Sequence, residues 1–306
     1  MSRLNFLCAG IPHTTFPRNT INGLKRIHEL RLDGMELEWV HQVPFDDERA
    51  KEIFEVAKKL KLELTVHGSY YINLAALEKP KLYASISRIL KAAKIGSICG
   101  AKKLTFHPAF YQKQEKKKVF DLVQEALGNV LEKLGKEEID IQIAPELTGK
   151  PTQFGDLEEL VTLVKGLDQK IRFCLDFSHL HARTNGKFNT KEEFKKIFEY
   201  IKKNLGKEYL SDMYFHISGI LYGEKGEKRH VCFLESEKEY EKNEITFDDW
   251  DRVKLREVDF IKGGPDIRWR EILQIMKEYN VGGHLVVESP NLEKDTLMLR
   301  NYYRTL

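Results

Sequence analysis

The chain has 306 residues, 42% of them apolar, which suits one large α/β barrel or two ordinary domains. It holds no run of about 18 apolar residues of the kind that spans a bilayer, so a transmembrane helix is not expected. A net charge of +3 is too mild to prove a nucleic-acid partner, because a basic patch matters more than the total.

Short apolar runs alternate with amphipathic stretches along the chain, and this rhythm predicts the elements in order. Strands are expected at Leu4–Cys8, Gly34–Trp39, Leu62–His67, Lys103–His107, Ile139–Pro145, Ile171–Leu175, Met213–Ile217 and His284–Glu288. Between them lie helical periodicities at Thr20–Leu30, Asp47–Leu60, Ala84–Ile98, Lys117–Leu134, Asp156–Val164, Lys191–Lys203 and Trp269–Tyr279. Eight strands alternating with helices predict a closed (β/α)8 TIM barrel, read as a single domain over residues 1–306. A doubly wound open sheet would show a glycine-rich first turn, and Ala9-Gly10-Ile11-Pro12 lacks that spacing. One region breaks the rhythm: Gly219 to Asp266 forms a long charged insertion between strands seven and eight, expected to be a mobile lid or a decoration. Within it, Glu235–Arg252 carries eleven charged residues in eighteen.

The scattered Cys8, Cys99, Cys174 and Cys232 read as free buried thiols. The first residues, MSRLNFLCAGIPH, have too short an apolar run for a secretory signal, so a cytoplasmic location is expected.

In parallel barrels the chemistry collects at the C-terminal ends of the strands. There this sequence places His67, His107, Glu146, Asp176 with His179, His216 and Glu288, on six consecutive strands. Any one of these reads equally well as a structural residue. Six at the same end do not, because carboxylates crowded at one mouth repel unless cations lie between them. Imidazole with carboxylate suits zinc or manganese better than magnesium.

The set also resembles a known family. His67-Gly-Ser-Tyr-Tyr-Ile-Asn-Leu74, Phe106-His107-Pro108, Glu146 with Thr148-Gly149-Lys150, Leu175-Asp176-x-x-His179, His216, Arg229-His230 and Glu288-Ser289-Pro290 resemble, in order, the endonuclease IV family of apurinic/apyrimidinic endonucleases. The resemblance implies a barrel in which His67 and His107 hold one metal, and Glu146, the catalytic carboxylate, bridges it to a second. Asp176, His216 and Glu288 would complete the second, and His179 and His230 would hold a third. It implies two or three zinc ions, with manganese as a substitute, and a monomer acting on double-stranded DNA. Family members cut 5′ to abasic sites in base excision repair, with a hydroxide between the metals as nucleophile. Tyr70, Lys228 and Arg229 would contact the DNA.

The third-metal loop departs from the family, which has Asp-Arg-His where this chain has Lys228-Arg229-His230. An ammonium carries no lone pair, so Lys228 does not ligate. Three outcomes follow: Glu227 substitutes, the site is lost, or the ammonium replaces the metal's charge. A two-metal centre or a weak third site is the expectation. Leu147 stands where the family has a polar Asn, and the insertion after His230 carries Trp250 and many acids, which oppose phosphate binding. Glu38, at the end of strand two, either lines the site or pairs with a lysine. The alternative reading is a sugar isomerase or epimerase with one divalent metal, for which Glu146, Asp176, His216 and Glu288 suffice. A binding protein with a degenerate metal site is a third class.

Overall fold

The structure, a computed structural model, describes residues 2–167, 171–242 and 256–306. Trp250 and much of the acidic stretch around it therefore lie outside the described residues.

Eight parallel strands form the barrel: β1 (Leu4–Ala9), β2 (Gly34–Glu38), β3 (Glu63–His67), β4 (Lys103–Phe106), β5 (Gln142–Pro145), β6 (Cys174–Asp176), β7 (Met213–Ile217) and β8 (Gly283–Val287). Their order is β5-β4-β3-β2-β1-β8-β7-β6, as a βα succession dictates. The seam between β5 and β6 closes through two isolated parallel bridges, Ile143 to Ile171 and Glu146 to Cys174. Regular pairing is thin at this seam, which is why β5 and β6 are shorter than the apolar runs that announced them.

The helices cover the outer face. Several begin at residues whose side chains satisfy the free N–H groups of the first turn. Asp46 accepts from Arg49 N at 2.8 Å, and Asp156 with Glu159 and Thr190 with Glu193 form reciprocal capping boxes. The third helix runs Lys79–Ile98, five residues longer than expected, because Pro80 is tolerated in a first turn before the apolar periodicity starts. Three α-helices among the described residues were not foreseen, one of them the short Glu237–Lys242 of the insertion. Phe177–Arg183 is short and almost wholly buried, and Leu292–Thr305 opens with Glu293, Lys294, Asp295 and Thr296 all buried. Polar residues facing inward erase the amphipathic signal. Glu293 accepts from His13 N and Thr14 N at 3.0 and 2.9 Å, and Asp295 accepts from Tyr240 Oη and Ser289 Oγ.

The insertion begins as an antiparallel hairpin, Gly219–Gly223 with Gly226–Val231. Its far end is pinned to the barrel: Tyr222 Oη donates to Asp266 at 2.7 Å, and His181 Nε2 lies 3.1 Å from the same carboxylate. At the opposite, N-terminal end of the barrel, buried Lys103 pairs with Asp212 at 2.5 Å and donates to Met213 O at 3.0 Å. All four cysteines are buried and free. Among the described residues, no helix is long and apolar enough to cross a membrane.

Candidate metal centre

The strand ends deliver their side chains to one mouth. His67 closes β3, His107 follows β4, Glu146 follows β5, Asp176 closes β6, His216 lies in β7 and Glu288 follows β8. Asp176 is also the N-cap of Phe177–Arg183, accepting from His179 N at 2.7 Å. The Asp-x-x-His spacing thus sets the carboxylate at the cap and the imidazole in the first turn, both facing the barrel mouth.

Four groups of donor atoms result among the described residues, each with its ligand atoms within 4.8 Å of one another; three contain imidazole, and the fourth is Glu36, Glu38 and Glu288. His67, His107 and Glu146 form the first; Glu146, Asp176, His216 and Glu288 the second; His179, Glu227 and His230 the third. Glu146, fully buried, is shared, with Oε2 3.3 Å from His67 Nε2 and Oε1 3.5 Å from His216 Nδ1.

Two imidazoles are oriented from behind by backbone carbonyls. His67 Nδ1 lies 2.8 Å from Gly68 O and His179 Nδ1 lies 2.9 Å from Leu147 O. A carbonyl only accepts, so Nδ1 carries the proton and the Nε2 lone pair faces the centre. His216 is reversed. Its Nε2 lies 3.1 Å from Glu36 Oε1, which leaves Nδ1 toward Glu288 Oε1 at 3.1 Å. Glu36 is fully buried and itself held by Thr65 Oγ1 at 2.7 Å and by the Tyr214 hydroxyl.

The electrostatics ask for positive charge in the middle. Burial opposes ionisation of Glu146, yet His216, His107 and His179 hold its pKa well below the usual carboxylate range. Burial likewise opposes a charged His67, but Glu146 outweighs it and pushes the pKa up to about 10. His179 and His216 are raised for the same reason by the acids around them. Both oxygens of Glu146, Asp176 Oδ2 and His216 Nδ1 are buried without hydrogen-bond partners. Buried acceptors left unmet are costly. These orphaned atoms and their nitrogen and oxygen chemistry fit divalent cations.

The third group bears on the expected two-metal centre or weak third site, because it brings in Glu227 as the substitute ligand. The hairpin pairs Leu221 with Arg229 but Tyr222 with Glu227, so Lys228 is the extra residue of a β-bulge. Simple alternation would put Lys228 on the face of His230; the bulge brings Glu227 there instead. Glu227 Oε2 lies 3.6 Å from His179 Nε2, and its Oε1 lies 3.9 Å from His230 Nε2. Gly149 makes the room, since a Cβ there would meet Glu227 Cβ and Oε2 at 2.7 Å and His179 Cδ2 at 2.9 Å. Lys228 is exposed and turned back along its strand, over Gly223.

Residues 24–304 match the family described as xylose isomerase-like TIM barrel. The chain belongs to this family. A protein of Methanocaldococcus jannaschii described as uncharacterized is 34% identical over 303 residues, 99% of this chain and 98% of its own length. An endonuclease 4 homolog of Dictyostelium discoideum is 27% identical over 194 residues, 60% of this chain but 34% of that protein. Among solved structures, endonuclease IV from Thermus thermophilus aligns with a TM-score of 0.62 at 13% identity, covering 99% of this chain and 98% of its own. A 3-keto-D-glucoside 4-epimerase from E. coli aligns with a TM-score of 0.64 at 12% identity, covering both chains completely. At these identities the structural likeness shows the fold, which endonuclease and epimerase share.

Of the residues expected to touch DNA, Tyr70 is half exposed with its ring 5.5 Å from His67 and 6.1 Å from His107. Arg229, next to His230 in the strand, alternates to the opposite face of the hairpin. Leu147 is buried, and only its carbonyl serves the centre. Glu38 lies with Glu36 and Glu288, an oxygen of each within 4.8 Å of the others. Sequence reading missed Glu36. The signal was the Glu36-x-Glu38 repeat, which aims two acids of β2 to one face.

Proposed function

We propose that the protein is a metal-dependent phosphodiesterase that cleaves double-stranded DNA 5′ to abasic sites, as part of base excision repair. Zinc is the proposed metal, with manganese as a substitute. One observation carries this reading: three ligand sets surround one mouth, two of them joined through a buried Glu146. A sugar epimerase on this barrel needs one cation, and Glu146, Asp176, His216 and Glu288 alone would hold it. His67 with His107, and His179 with Glu227 and His230, have no role in that chemistry.

When bound, the cations would lower the pKa of a water and neutralise charge building on the phosphoryl oxygens. The chain's residues do the rest. Glu146 fixes the spacing between the first two ligand sets, and Glu36 holds His216 in the tautomer that presents Nδ1. Tyr70 stands beside His67 and His107, placed to contact the strand next to the lesion. An abasic nucleotide is easily turned into such a mouth, since no base has to be unstacked.

The helix starts support a polyanionic substrate. In a βα barrel they lie on the same side as the strand ends. Acids normally occupy the first turn, where they meet the positive end of the helix dipole. Helices Asp47–Leu60, Leu157–Gly166 and Lys191–Leu205 follow that rule. Lys79–Ile98 and Lys116–Lys136 break it, opening with Lys79 and Lys81 and with Lys116, Lys117 and Lys118, and no first-turn acid. Lysines set against the dipole cost a few tenths of a kcal/mol each, roughly; Lys81 is paired with Glu78 and Lys116 with Asp156, which leaves Lys79, Lys117 and Lys118 as the cations offered to phosphates.

Glu146→Gln tests both halves of the proposal. The variant should keep its fold, lose turnover by at least about a thousandfold, and bind an abasic-analogue duplex with an affinity that falls steeply as salt rises. Wild-type turnover would remove Glu146 from its bridging role. Salt-independent or undetectable duplex binding would sink the nucleic-acid reading and favour the epimerase.

A further inference from the structure

We infer that Glu38 reads the lesion, accepting a hydrogen bond from the C1′ hydroxyl of the abasic deoxyribose. The inference rests on the abasic-site reading above. β2 supplies no member of the three ligand sets, yet it ends in Glu36-Leu37-Glu38, whose two acids share one face by strand alternation. Glu36, the deeper one, accepts at Oε2 from Thr65 and Tyr214 and has Oε1 3.1 Å from His216 Nε2. Glu288 faces His216 Nδ1 in the second ligand set. Glu38 Oε1 is buried without a hydrogen-bond partner, and among the described residues Glu38 lacks even the close histidine neighbour that Glu36 has.

The side chain is held at the mouth by the loop after β1. Gly10 has φ +87°, and a Cβ there would sit 3.2 Å from Glu38 Cγ, so this glycine leaves room for the glutamate stem. The charged groups that act most strongly on Glu38 are Glu36, His67, Glu288 and His216, and among the described residues Glu38 makes no ion pair with a lysine or arginine. The lysine pairing considered for it is thus not made.

An unmet acceptor calls for a donor. A fourth cation fits poorly, because Glu36 and Glu288 are committed elsewhere and one carboxylate alone holds a metal weakly. A phosphate diester offers no donor. A sugar hydroxyl meets the need, and a sugar joined through its 5′ oxygen to the scissile phosphate lies within a few bonds of the centre. At C1′ an abasic nucleotide carries a hydroxyl where an intact nucleotide carries its base. A carboxylate reading that position favours the lesion, since a site built to bond a hydroxyl rejects the analogue lacking it.

The test compares kcat/KM on duplexes bearing a natural abasic site, made by removing uracil, and a tetrahydrofuran analogue that lacks the C1′ hydroxyl. The holoenzyme should prefer the natural site by about tenfold or more. Glu38→Ala should bring that ratio toward one, Glu38→Gln, which keeps an acceptor oxygen, should fall between, and metal content should match wild type in both. A wild type without preference, an alanine variant that keeps the full preference, or a variant that loses one metal per chain would overturn the inference. Cleavage of neither duplex by wild type would overturn the proposed function itself, and this inference with it.

Discussion

Lys103 shows how a single residue behaves at the end of the barrel away from the metal centre. Its ammonium is buried, so burial holds its pKa below the usual lysine value, against the pull of Asp212. Asp212, by contrast, keeps 46% of its side chain exposed. Removing the two partners should therefore have unequal effects. Asp212→Ala strands a buried charge and should cost on the order of 3 kcal/mol, whereas Lys103→Met frees an aspartate that water can reach and should stay within about 1 kcal/mol of wild type. Urea midpoints at neutral pH read the difference, and equal losses would contradict it. The pair also has a pH signature. Burial opposes ionisation of Asp212, but Lys103 keeps its pKa below 3.8, so its stabilising contribution is present above that value and is lost as pH falls through the lower, folded one.

At the scale of elements, the hairpin after β7 decides how many metals the centre can take. The one-residue bulge at Lys228 exchanges a cation for a carboxylate beside His179 and His230. Nothing in the residue string states a bulge. The expected two-metal centre or weak third site followed from Lys228 standing where the resembled family has an aspartate, and strand alternation would likewise put Lys228 on the ligand face. Glu227→Ala should lower tightly held metal from three to two ions per chain, by elemental analysis after dialysis. Gly149→Ala should act in the same direction, by crowding Glu227 and His179. An unchanged count of three in Glu227→Ala would remove Glu227 from the ligands, and a count of two in the wild type would return the centre to two sites. Glu36 was hidden for a related reason: its role depends on His216, a partner far along the chain that only barrel closure brings within 3.1 Å.

For the molecule as a whole, the barrel was legible because apolar runs alternated with helical periodicity. Its business end was legible because His67, His107, Glu146, Asp176, His216 and Glu288 recur at the same end of successive strands. The first turn of Leu292–Thr305 and Glu36 escaped sequence reading because they are polar groups buried inside the fold, where hydrophobic patterning carries no signal, and the bulge at Lys228 because a local change of register is announced by no residue type. The same fold hosts endonucleases and epimerases, so architecture does not choose between them and the ligand sets must. The most direct measurement is therefore cleavage of a duplex bearing one abasic analogue, with and without chelator. The account predicts a single cut 5′ to the lesion that leaves a 3′-hydroxyl, is lost in chelator and returns with zinc or manganese. An intact duplex under the same conditions, with metal-dependent turnover of a ketose or aldose, would contradict it.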